Sequence, residues 1–125
     1  MLRSNKMMGF VITKDSKRAR KFYEETLGFK FVSEDQFALV LKTDENMIRI
    51  SPVKDFVPAQ HTILGWEVKQ IEQVASYLRE RGVVFEHYPW MKHNELGIWD
   101  SPTGAKVAWF KDPDGNVLSI SQHNN

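Results

Sequence analysis

The stretch "DENMIRIS" at 44–51 decides the fold, because the chain says it again as "DGNVLSIS" at 114–121. Asp44 and Asp114, Asn46 and Asn116, Ile50 and Ile120, and Ser51 and Ser121 are identical pairs, and Met47/Val117 and Ile48/Leu118 keep the apolar slots apolar. Working backwards without a gap sets "QFALVLKT" (36–43) over "KVAWFKDP" (106–113), with Ala38 over Ala108. A hairpin written twice in 125 residues points to a duplicated module. Two positions break the match: Glu45 stands over Gly115 in the turn, and on the strand Arg49 stands where the other copy has Ser119.

The duplication extends to the segments in front of the hairpins. In "DSKRARKFYEETLGFKF", Ala19, Phe22, Tyr23, Thr26 and Leu27 form one apolar stripe of a helix, with Lys17, Arg18, Lys21 and Glu24 toward water. Asp15 or Ser16 can cap its start, and Gly28 can end it in the left-handed conformation. "QIEQVASYLRERGVVF" repeats the pattern with Ile71, Val74, Ala75 and Leu78, and ends at Gly82. In both copies a Phe follows three residues after the glycine, Phe31 and Phe85. Each half opens on an apolar strand, "MMGFVIT" or "TILGWEV". Three extended segments follow each helix: "FKFVSE", "FALVLK" and "MIRIS", then "VVFEHY", "KVAWFK" and "NVLSIS". The reading is β-α-β-β-β twice, an α+β fold. Module 1 runs over about 7–52, a linker over 53–61 within the two-proline stretch 51–62, and module 2 over about 62–122. In "KDPDGN", Pro113 suits the second position of a type I turn and Gly115 the positive φ after it. The segment 89–105 has no strong periodicity and reads as a flap.

The composition narrows the function. Hydrophobic residues at 42% and charged residues at 26% are globular values, and a net charge of +1 gives no electrostatic reason for a nucleic acid or an anionic membrane as partner. Without cysteine there is no disulfide, thiolate nucleophile or zinc–thiolate site. No apolar stretch has the length of a signal peptide or a membrane span, so a cytoplasmic protein is the expectation. No phosphate-cradling glycine loop, HExxH or nucleophile elbow is present.

"SKRARKFYEETLGF" and "WFKDPDGNVLSISQ" resemble the first helix and the closing hairpin of the vicinal oxygen chelate superfamily, which comprises glyoxalases, bleomycin-resistance proteins and extradiol dioxygenases. The resemblance covers nearly the whole chain. It implies two βαβββ modules whose sheets form an open eight-stranded barrel around a cavity, and a homodimer. In the metalloenzymes of that family, a His, Gln or Glu on the first and last strand of each module holds a divalent ion. The matching positions here are Met8, Arg49, Ile63 and Ser119. Isoleucine has no lone pair and arginine is a permanent cation without an acceptor. Methionine is a soft ligand and a serine hydroxyl a poor one. His61 and Glu67 do not rescue the set, so neither metal nor cofactor is expected.

Strand alternation gives what the cavity offers instead. Met8, Phe10 and Ile12, then Met47, Arg49 and Ser51, then Ile63, Gly65 and Glu67, and Val117, Ser119 and Ser121 share the parity of those positions. The opposite parity is almost wholly apolar, as a face packed under helices should be. An apolar pocket with one fixed cation suits a small anionic or aromatic molecule. Arg49 can clamp a carboxylate or phosphate, or it can pair with Glu67 and keep the interior neutral. Tyr88, Trp90, His93 and Trp99 can stack on a planar ligand, with Met91 as filler, or cover the barrel or a dimer contact. Trp109 and Phe110 are adjacent, and which one faces the cavity stays open. His87, His93 and His123 otherwise read as solvated, His123 in a frayed tail. Three functions fit: sequestration of a small organic molecule, metal-free catalysis with Glu67 as general base and Arg49 holding an oxyanion, or a metal-dependent lyase or dioxygenase, which the four positions disfavour.

Overall fold

The computed structural model describes residues 1–124. The chain forms two compact units, one of Met1–Pro58 and one from Ala59 onward. The first contains β1 (Met8–Thr13), α1 (Ser16–Lys21), β2 (Lys30–Glu34), β3 (Leu39–Lys42) and β4 (Met47–Pro52). The second contains β5 (Thr62–Glu67), α2 (Ile71–Glu80), β6 (Trp99–Asp100), β7 (Lys106–Lys111) and β8 (Val117–Gln122). Each is one four-stranded sheet of the same topology, β1-β4-β3-β2 and β5-β8-β7-β6. In each, the first strand runs parallel to the last and the other pairs are antiparallel. Among the described residues no helix is long and apolar enough to cross a membrane.

Local chemistry sets the helix ends. The Asp15 carboxylate accepts the Arg18 N–H at 3.1 Å, an N-cap that satisfies one of the orphan donors of the first turn. Gly28 ends the first helical segment at φ 82° and Gly82 the second at φ 95°, where a Cβ would be strained. The first helix departs from the expected single stripe. After Lys21 it widens into one π-helical turn, Phe22–Thr26, closed by a Leu27 N–H to Phe22 carbonyl bond of 3.1 Å. The extra residue turns Tyr23 into the core, edge-on to Phe22 and Phe29, and leaves Phe22, Thr26 and Leu27 half-buried.

Alternation along the strands behaves as expected. Val11, Ile48 and Ile50 in the first sheet and Leu118 and Ile120 in the second are buried, while Arg49 and Ser119 between them are not. Antiparallel pairing adds Leu39 and Leu41 to the first buried face and Ala108 and Phe110 to the second. Val117 departs from its neighbours of like parity and is buried, and so is Val40, although it lies on the face opposite Leu39 and Leu41.

Two features correct the simple repeat. The β3–β4 turn spans 43–46 between the paired Lys42 and Met47, whereas the β7–β8 turn spans 112–116 between Lys111 and Val117. The second turn holds one more residue because Gly115 follows the tight turn at φ 89°, with the Gly115 N–H bonded to the Asp112 carbonyl. The buried Asp112 carboxylate accepts the Asp114 and Asn116 N–H groups and the Asn116 amide, and locks the longer loop. Once Arg49 is set on Ser119, the residue opposite is Val40 in one copy and Trp109 in the other, so Leu39 rather than Ala38 corresponds to Ala108.

The second correction concerns "VVFEHY", expected as a full strand. Only Phe85 bridges to Phe110, and the Glu86 N–H bonds to the Trp109 carbonyl. The chain then leaves the sheet and returns as β6, inside the segment read as a flap. The edge strand of the second sheet is therefore interrupted, where β2 of the first runs through with a single bulge.

Candidate functional site

In each unit the site is the sheet face opposite the buried one. In the first unit Phe10 on β1, Arg49 on β4 and Val40 on β3 lie side by side, with Met8 beside Met47 one step away on the same face. Phe10 is 66% exposed and Arg49 half-buried. The structure therefore brings together Met8, Phe10, Met47 and Arg49. It also places a group beside them that strand parity does not reveal. The Asp35 carboxylate in the β2–β3 turn accepts the Phe37 and Ala38 N–H groups at 2.8 and 2.9 Å. These two bonds, and then the Arg49 charge, hold it below the usual carboxylate value. An Asp that opens a tight turn two residues ahead of its donors was the available signal.

In the second unit Gly65 on β5, Ser119 on β8 and Trp109 on β7 are side by side. A Cβ on Gly65 would lie 2.8 Å from the Ser119 Oγ, so the glycine makes room for that hydroxyl. Pairing with Ser119 assigns Trp109 to the open face; Phe110 is fully buried against Trp66 and Phe85. Glu67 pairs with Ser121 and is exposed, at a shallow concavity shared with Lys69, Gln122 and His123. The His123 ring lies 3.0 Å from the Ser121 hydroxyl instead of fraying away. Ile63 is not a regular strand position: Thr62 pairs with Val117 and Leu64 with Leu118, leaving Ile63 in a bulge.

The interrupted edge delivers aromatic rings to this face. Trp99 pairs with Val107, which pairs with Ser121. The Trp99 and Trp109 rings are 6.0 Å apart, Tyr88 stands edge-on to Trp109 at 5.7 Å, and Trp90 stacks on Tyr88 at 5.0 Å. Trp90 is 76% exposed. Burial, and then the Glu86 carboxylate, hold the Tyr88 hydroxyl above its ordinary value, so the phenol stays neutral.

His93 is held in its loop rather than solvated, with its ring among those of His87, Tyr88 and Trp109. Its Nε2 accepts the Tyr88 N–H at 3.1 Å, which requires Nδ1 to carry the proton and donate it to the Gly97 carbonyl at 2.8 Å. The ring is thus a tie across the loop that carries Tyr88 and Trp90. Gly97 completes the loop at φ 88°, where a Cβ would meet the Phe85 Cβ at 2.7 Å.

Met8, Arg49, Ile63 and Ser119, where the resemblance puts metal ligands, do not fit a divalent ion: a soft thioether, a cation, a hydrocarbon in a bulge and a neutral hydroxyl. Among the described residues no group of three or more His, Cys, Asp or Glu is placed to hold a metal.

Solved structures share the fold at low identity. An integron cassette protein from the mobile metagenome of the Halifax Harbour sewage outfall is 23% identical, with a TM-score of 0.73 over 95% of this chain and 98% of that one. Lactoylglutathione lyase from Agrobacterium tumefaciens is 14% identical, with a TM-score of 0.72 over 95% and 93%. TnmS3, an antibiotic binding protein from Streptomyces sp. CB03234, is 23% identical, with a TM-score of 0.69 over 99% of both chains. No curated protein matches the chain. The family model of the Glyoxalase/Bleomycin resistance protein/Dioxygenase superfamily matches residues 5–120, and the chain belongs to that superfamily.

Proposed function

We propose that the chain binds a small planar organic molecule and holds it without transforming it. The observation that carries this reading is the run of rings Trp90–Tyr88–Trp109–Trp99, laid on an open sheet face beside the Ser119 and Ser121 hydroxyls. Aromatic faces recognise planar ligands by dispersion and quadrupole contact, and the hydroxyls add orientation at little desolvation cost. A loop pinned by His93 and Gly97 presents the rings preformed, so less ordering entropy opposes binding. Binding without turnover also agrees with a family position set that offers no metal ligands, and TnmS3 is described as an antibiotic binding protein.

Titration with 2-naphthamide, followed by tryptophan fluorescence, tests the reading. Saturable quenching is expected in the parent. Trp90→Ala should weaken it by about fivefold or more, with an unchanged melting temperature because Trp90 is exposed. Equal affinity of the variant and the parent would remove the platform from the site. A compound that co-purifies and is recovered by native mass spectrometry should leave with unchanged mass; a shifted mass would make the protein an enzyme.

Assembly as a homodimer belongs to the same reading, supported by the exposure of Phe10, Phe37 and Trp90 in the single chain. Light scattering should give about twice the 14.6 kDa chain mass. A cytoplasmic location, checked by cell fractionation, completes the reading.

A further inference from the structure

The open face of the first unit is built differently from the aromatic one and carries a proposal of its own. Arg49 lies at the middle of an inner strand, between Phe10 and Val40. Among the described residues its guanidinium makes no hydrogen bond and has no carboxylate within 4 Å. Arg49 is half-buried, and among the described residues no buried side-chain nitrogen lacks a partner, so its five donors reach solvent in a fixed fork and are open to a ligand. The acid whose field it meets, Asp35, has spent Oδ1 on two backbone N–H groups and stays beyond ion-pair reach. The rest of the face adds positive charge: Lys42 pairs with Met47, and Lys30 pairs with Lys42. Phe10, Met8 and Met47 supply apolar surface immediately around the cation.

We propose that Arg49 is the anchor of an anion site, taking the carboxylate of an aromatic acid in a bidentate pair while Phe10 and the two methionines hold the ring. The planar fork matches a planar carboxylate. The ladder fixes the Arg49 backbone, so a ligand has only the side chain to order.

The test uses a matched pair, 2-naphthoate and 2-naphthamide, which differ in charge and little in shape. The Arg49 side-chain Nε–Hε signal, assigned by its loss in Arg49→Gln, is followed by NMR in the parent, with binding of both compounds to the two proteins measured in parallel by fluorescence. Naphthoate should shift the Arg49 signal of the parent, and its affinity should fall with added salt. Arg49→Gln should weaken naphthoate about tenfold or more and change naphthamide less than about twofold. Equal losses for both compounds in Arg49→Gln, or none for naphthoate, would overturn the anchor. If Arg49→Gln does not fold, Arg49→Lys decides: it keeps the charge and loses the fork, and an unchanged naphthoate affinity counts against the bidentate pair. The Trp90 platform is judged separately, since naphthamide that fails to bind the parent sinks that reading and leaves the Arg49 signal to decide this one.

Discussion

The two units share one topology and differ at its centre. In the first, a cation stands between a phenylalanine and a valine; in the second, a hydroxyl stands between a glycine and a tryptophan. The buried faces are nearly interchangeable, with Ile48, Ile50, Leu39 and Leu41 answered by Leu118, Ile120, Ala108 and Phe110. Burial constrains one face of a sheet to hydrocarbon of fitting volume. The other face is free to diverge, and there the copies have taken different chemistry: charge in the first, rings in the second. The lengths of the connections differ accordingly. The first unit passes from helix to edge strand within a few residues, whereas the second interrupts its edge strand with the loop that brings the rings in.

The largest effect should come from the buried faces, where the copies agree. Phe110→Ala should destabilise the chain by about 4 kcal/mol and its counterpart Leu41→Ala by about 3 kcal/mol, since both side chains are fully buried. Trp109→Ala, one residue away on the open face, should cost less than about 1.5 kcal/mol. Urea denaturation of the three variants checks the order; a costlier Trp109 change would mean that the faces are assigned the wrong way round.

Next comes the loop that only the second unit has. Gly97→Ala adds a Cβ at positive φ and within 2.7 Å of Phe85, for an expected loss of about 3 kcal/mol. Gly28→Ala in the first unit meets nothing within 4 Å, and about 1 kcal/mol is expected from the backbone alone. Similar losses in the two variants would show that the loop packs more loosely than these contacts require.

A smaller effect lies at the centres themselves. Gly65→Ala forces the Ser119 hydroxyl aside and should cost about 1 kcal/mol, part of which returns when Ser119→Ala is added. Strict additivity in this double-mutant cycle would disprove the close approach.

The smallest is a pH dependence confined to the first unit. The folded-state pKa of Asp35 lies below its unfolded value, so its stabilising contribution is complete above the ordinary carboxylate pKa, about 3.8, and is lost as the pH falls through the lower folded value. The parent should therefore lose stability more steeply than Asp35→Asn on acidification below about pH 4. Parallel melting curves over that range would show the turn bonds to be worth nothing.

Much of this was legible in the residues. The repeat of 44–51 at 114–121, the Asp15 cap, the stops at Gly28 and Gly82 and the period-two alternation of the strands are local or self-similar signals, and they led to two βαβββ modules and to the face on which Arg49 and Ser119 stand. Tertiary structure decided the rest. An ungapped comparison hides the extra residue before Asn116, because a turn's length shows only in the register of the strands it joins. The π turn, the bulge at Ile63 and the broken edge strand cost local hydrogen bonds and persist only because Tyr23, Leu64 and the Phe85–Phe110 pair find their packing. The choice between Trp109 and Phe110 needs a cross-strand partner, and the ties from His93 to Tyr88 and Gly97 and from Arg49's field to Asp35 join residues whose spacing has no period. Sequence alone determined the alternation of the strands around Arg49 and Ser119; folding alone determined where alternation breaks, at Ile63 and Val117, and what stands beside each side chain, because neighbours across a sheet are set by register and not by order along the chain.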